Sequence, residues 1–169
     1  MTPLDPLDLV RRQIEAARAY TLTLLDGLEP EDWFRIPPGC VSHVAWQVGH
    51  LAMAQYGLAL FRQRGRLPVD LELMPGSFRK TFSKGTTPNA DPSAYPSVDE
   101  IRQIFDRVHR QVLDELPTFD QIALTEKVDP PHFAFDDRFG ALVFASHHEM
   151  LHAGQIGLLR RLLGRDPVR

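Results

Sequence analysis

The sequence is nearly without cysteine. Cys40 stands alone among 169 residues, so no intramolecular disulfide is available. That excludes a disulfide scaffold and fits a reducing, cytoplasmic setting. A surplus of basic charge is also missing. The net charge is −3 with neutral histidines, so no global positive field speaks for nucleic acid. No apolar run approaches the ~18 residues that span a bilayer. The opening stretch, MTPLDPLDLVRRQIEAAR, has no basic segment followed by an apolar one, so neither a membrane span nor a signal peptide is expected. Alternating strand patterns are scarce too. Phe133-Ala134-Phe135 is too short to support a sheet.

Helical periodicity is what the chain does have, in four segments. From about Leu7 to Leu28, the residues Val10, Ile14, Ala17, Thr21, Leu24 and Leu28 recur at three- and four-residue steps, with Arg11, Arg12, Glu15 and Arg18 between them. Asp5-Pro6 supplies a cap and first position. From about Ser42 to Gln63 the chain is apolar on most sides, with Ser42 as the expected cap and Gly65 as the stop. Ser97-Val98-Asp99-Glu100 opens a third helix, ending near Leu116, and the fourth runs from about Gly140 to Leu163. The connections 65–96 and 117–139 are rich in proline and read as irregular excursions. The length suits one domain over 1–169. The expected fold is all-α, a four-helix bundle with long crossover loops.

The fourth helix carries the chemistry. His148-Glu149-Met150-Leu151-His152 spells H-E-x-x-H, a zinc signature of many metallopeptidases. At about 100° per residue, with His148 at 0°, His152 falls at about 40°, Gln155 at about −20°, Phe144 at about −40° and Leu159 at about 20°. These residues are expected on one buried face. Glu149, at about 100°, is expected at its margin, with a solvated carboxylate slightly preferred over an acid/base role beside the site. Burying two imidazoles side by side is costly without a partner, and a divalent metal resolves that cost. His50, His132 and His109, in that order, are candidates for a third ligand. His43, seven residues before His50, lies too far along the helix to join it. Gln155 is expected either to orient a ligand or to bond the neighbouring segment.

The peptidase alternative is weak. No histidine follows His152, Asp166 is the sole carboxylate after it, and no strand is on hand to hold an extended peptide. Arg79, Lys80 and Lys84 are candidates to meet an anionic substrate, the competing view being a solvated basic stretch. Trp46 is expected in the core rather than stacked on a ligand, and Cys40 as an inert thiol.

"VAWQVGHLA" with His50, "YPSVDEIRQIFDRVHRQVL" and "FGALVFASHHEMLHAGQIGLLRRLLG" together resemble the DinB-like superfamily, also called the YfiT-like or DinB/MDMPI group. Its hallmark is a late H-x-x-x-H-x-G-Q string plus an isolated histidine on the second helix, and the likeness covers nearly the whole chain. The resemblance implies a four-helix bundle, often a homodimer, with Ni²⁺ or Zn²⁺ held by His50, His148 and His152 facing a pocket. It implies action on a small-molecule substrate: transfer or isomerisation with a low-molecular-weight thiol such as bacillithiol, mycothiol or glutathione, or metal-dependent hydrolysis. The competing class is a non-catalytic, metal-stabilised stress-response or binding module. That class requires a closed site with a fourth protein ligand, His132 or His43.

Overall fold

A computed structural model of the chain describes residues 5–168. Among the described residues seven α-helices and one hairpin follow one another, with short 3-10 turns between some of them: α1 (Pro6–Leu25), α2 (Val44–Tyr56), α3 (Arg62–Arg64), α4 (Asp70–Leu73), α5 (Gly76–Thr81), α6 (Val98–Glu115), β1 (Lys127–His132), β2 (Phe135–Asp137) and α7 (Arg138–Leu162). A π-turn over Gly57–Phe61 joins α2 to α3 without a break in the helical path. α1 packs along α7, and α2 packs along both α6 and α7. The core between them holds Ile14, Leu51, Leu60, Ile101, Phe105, Leu142 and Ile156, all fully buried.

Local chemistry sets the helix ends. The Asp5 carboxylate accepts the Leu7 amide ahead of Pro6, and Ser97 accepts the Glu100 amide. Asp137 accepts the Gly140 amide at 2.7 Å. In each case a side-chain oxygen satisfies an amide that the first turn leaves open. Gly65 and Gly164 take positive φ where the second and last helical paths stop. The expected cap Ser42 is displaced by its neighbour: His43 Nδ1 accepts the Trp46 amide at 3.0 Å and Ser42 stands outside. α1 ends at Leu25, short of the expected Leu28.

Three further departures from the sequence-based expectation matter for the site. The excursion 65–96 contains α4 and α5 and is pinned to the core by Phe78 and Phe82, both fully buried. The segment 117–139 contains the antiparallel pair β1–β2, with His132 opposite Phe135. So Phe135 is a strand residue, whereas Phe133 is 88% exposed at the turn. Finally, at the π-turn Gln63 Nε2 donates to the Leu58 carbonyl at 2.9 Å and to the Arg138 carbonyl at 3.1 Å.

Candidate metal centre

α2 and α7 meet where α2 is most buried, and that crossing gathers three histidines. One ligand nitrogen from each of His50, His148 and His152 lies within 4.8 Å of the other two. The ring centroids stand 5.4 Å apart for His50–His148, 4.9 Å for His50–His152 and 4.6 Å for His148–His152. An ion 2.0–2.1 Å from each nitrogen in tetrahedral geometry would hold the nitrogens about 3.3 Å apart, a closure that side-chain rotation supplies. His50 is buried, while His148 and His152 are half-buried, so the cluster opens on one side.

The ring orientations suit metal binding. His50 Nδ1 donates to the Phe82 carbonyl at 2.8 Å. His152 Nδ1 donates to Gln47 Oε1 at 2.5 Å. Because a carbonyl oxygen only accepts, both Nδ1 atoms carry the proton, and both Nε2 atoms keep a lone pair for a ligand bond. Gln47 is itself held, donating from Nε2 to Ser42 Oγ at 3.0 Å. The Trp46 ring stacks on His50 at 4.7 Å with an 8° tilt, and its Nε1 donates to Thr86 Oγ1 at 2.9 Å. Trp46 packs half-buried against the core, as expected, and forms the floor beneath His50. Gly49 allows the arrangement: a Cβ there would sit 2.5 Å from the Phe82 ring, so any larger residue would push Phe82 away from His50.

Burial favours neutral imidazole at every position. It pushes His148 down to about 4, with His50 and His132 nearby adding to the effect. It pushes His152 down to about 3, with His148 and His50 adding. His50 is lowered by burial and by the charge of Lys84. Three neutral nitrogens at pH 7 are the form that binds a metal.

The remaining candidates go elsewhere. His43, fully buried, spends Nδ1 on capping α2 and faces Phe34 and Tyr95. His109 Nδ1 meets Gln55 Nε2 at 3.3 Å on the far side of α2. His132 stacks on Phe135 at 4.3 Å and touches Phe144 at 5.2 Å, so one aromatic ring separates it from His148, and its Nδ1 accepts the Ala134 amide. Gln155 is exposed. Cys40 is half-buried against the core. Arg79 borders a small cleft with Tyr56 and Asp70, whereas Lys84 follows Phe82, whose carbonyl holds His50, by two residues. A cavity of about 620 Å³ opens between Phe34, Arg35, Pro92 and Val98, and none of the three histidines lines it.

Glu149 overturns the expectation of a solvated carboxylate. It is 2% exposed. Both its oxygens receive Arg18, at 2.8 Å from Nε and 3.4 Å from an amino nitrogen. The Arg18 guanidinium also donates to the Phe105 carbonyl and to Gln55 Oε1, each at 3.0 Å, and lies 3.3 Å above the Phe105 ring. The buried residues of α7 explain the error. Leu142, Ala145, Glu149, Ala153 and Ile156 are buried, and on the same wheel they centre near about 100°. The cluster histidines flank that face, and Phe144 marks its edge. Two buried alanines let α1 come close, so Arg18, expected on the polar side, points inward. A general base for peptide hydrolysis would have to face the metal, and Glu149 faces Arg18.

Two residues were missed in the sequence, Gln47 and Phe82. Gln47 carried a signal: a polar side chain one turn before His50 in a largely apolar helix. Phe82 acts through its backbone carbonyl, which no residue type announces.

A largely helical chain with a three-histidine cluster between its second and last long helices defines a class of candidate metal proteins. Within that class the assignment is direct. The DinB superfamily model matches residues 13–156, and the chain belongs to that superfamily. Among solved structures, a conserved protein from Enterococcus faecalis is similar in fold, with a TM-score of 0.72 at 19% identity, covering 96% of this chain and 100% of that one. No protein of curated function matches the chain.

Proposed function

We propose that the chain is a metal-dependent enzyme whose divalent ion, Ni²⁺ or Zn²⁺, is held by His50, His148 and His152. The supporting observation is the convergence of three neutral imidazoles, two with Nδ1 committed to a carbonyl, and no fourth protein ligand gathered with them among the described residues. Such a donor set leaves a coordination position open. When bound, a divalent ion on three uncharged ligands supplies Lewis acidity that lowers the pKa of a thiol or water beside it. The substrate is a small molecule, and the reaction is either transfer to or from a low-molecular-weight thiol or hydrolysis. Family membership supports the thiol reading.

The protein's own groups do the positioning. Phe82 and Gln47 fix the tilt of two ligand rings. Trp46 shields one face of His50 from water. Phe144 backs His148, with ring centroids 5.8 Å apart. The single half-buried thiol, Cys40, suits a reducing compartment such as the cytoplasm. No helix among the described residues is long and apolar enough to cross a membrane. Leu151, Leu158 and Leu162, 62%, 47% and 50% exposed, lie within about 40° of one another on α7. That stripe supports a homodimer, which light scattering on eluted protein would register as twice the chain mass.

The deciding experiment is metal content by mass spectrometry on untagged protein. Wild type should carry about one divalent ion per chain, and His50→Ala, His148→Ala and His152→Ala should each lose it while staying folded by circular dichroism. Absence of metal from wild type, even after incubation with Zn²⁺ or Ni²⁺, would end the proposal.

A further inference from the structure

The acidic residue within the histidine string, Glu149, is paired with Arg18, and the turn that holds the His50 ring through the Phe82 carbonyl carries a lysine, Lys84.

Lys84 does not arrive by chance of loop conformation. It sits in the turn Phe82–Thr86, which is tied to the cluster at both ends. At one end the Phe82 carbonyl accepts His50 Nδ1 at 2.8 Å. At the other, Thr86 Oγ1 accepts Trp46 Nε1 at 2.9 Å, and Trp46 stacks on His50. The turn closes on itself through the Thr86 amide and hydroxyl, both donating to the Ser83 carbonyl at 3.2 and 2.9 Å. Gly85 takes φ +91° within it, a conformation that side chains rarely adopt. Lys84 is exposed and forms no ion pair among the described residues. Arg79 and Lys80, on the preceding helix α5, have no such tie.

We propose that Lys84 selects the substrate: it pairs with a carboxylate on the substrate's tail while the reacting thiol or oxygen lies over the three histidines. The substrate class is then a small anionic molecule, and for a thiol cosubstrate, a thiol bearing a carboxylate. This rests on the metal reading above and adds a residue and a charge to it.

The test uses full-length protein loaded with Co²⁺, whose visible absorption reports both metal occupancy and thiol coordination. Two thiol probes are titrated: 3-mercaptopropionate, with an anionic tail, and 2-mercaptoethanol, with a neutral one. The quantity read is the ratio of their dissociation constants in one variant, so general damage to the metal site cancels. Wild type should favour the anionic probe, and Lys84→Gln should lower that preference by about threefold to fivefold, the scale of a partly exposed ion pair. Lys84→Arg should retain the preference, and added salt should weaken it in wild type. An unchanged ratio in Lys84→Gln, with the cobalt bands intact, would overturn the role of Lys84 and leave the metal reading standing. Failure of wild type to develop cobalt bands would overturn the metal reading, and the role of Lys84 with it.

Discussion

Replacing Glu149 separates two roles that the letters H-E-x-x-H confound. In Glu149→Ala, Arg18 keeps its bonds to the Phe105 carbonyl and Gln55 but loses the carboxylate that neutralises it, at a position only 3% exposed. Removing one partner of a buried, hydrogen-bonded ion pair costs about 3–5 kcal/mol. For a domain of this size each kcal/mol shifts Tm by about 2–4 °C, so the melting point should fall by about 6–20 °C. The double variant Arg18→Met/Glu149→Leu removes both charges and fills the space with apolar atoms. It should recover most of the loss, since an apolar replacement of a buried pair is often neutral. Metal content at 20 °C should stay near wild type in both variants, because neither Arg18 nor Glu149 touches the ligand rings. The assays are thermal unfolding by circular dichroism and metal analysis on the same samples. If Glu149→Ala melts within about 2 °C of wild type, the assignment of the pair as a core clamp is wrong. If it remains stable yet loses bound metal, Glu149 belongs to the site after all.

Three further outcomes follow from the geometry. His132→Ala should leave metal affinity unchanged, measured by competition with a chelating dye; a loss above tenfold would make His132 a ligand and the site a closed one. Gln47→Leu removes the acceptor of His152 Nδ1 and should weaken metal binding by about 10–100-fold while the helical signal persists. Stability should also depend on pH in a defined window. Burial holds His43 near 4 and His109 near 3 in the folded protein, against about 6.5 in the unfolded chain. The unfolded state therefore takes up protons first as pH falls. Stability should be full above pH 6.5 and decline toward pH 4, with each such histidine contributing at most about 1.4 kcal/mol per pH unit. Urea unfolding of metal-free protein at pH 7 and pH 5 checks this, and equal stability at the two values would refute it.

Much of the cluster was legible because its histidines carry a spacing. His148 and His152 one turn apart, and His50 stranded in an apolar helix, are local facts of the chain. The stripe Val10, Ile14, Ala17, Thr21 and Leu24 likewise marked the buried side of α1, and every one of those residues is buried. What failed was direction. Phe144 and Leu159 suggested the inward face of α7, but the closest approach is made where alanines leave room, and that shifts the face by about one residue's rotation. Arg18 and Glu149 looked like surface charges because each alone would be. Only their meeting across 131 positions of sequence makes burial tolerable. The Phe82 carbonyl and the β1–β2 hairpin were illegible for a related reason: backbone partners and short strands are fixed by what the chain folds against.

The π-turn at Gly57–Phe61 bears on descent. Its hydrogen bonds span one residue more than those of an α-turn, so it accommodates a single inserted residue while the helix on either side keeps its facing. His50, before it, still meets α7, and Arg64, after it, still reaches Asp70 and Glu115. A relative one residue shorter here would keep both sets of neighbours. The gap in any comparison of such chains therefore falls within 57–61. Matched without it, every position from Arg62 onward would be paired with the wrong ancestor.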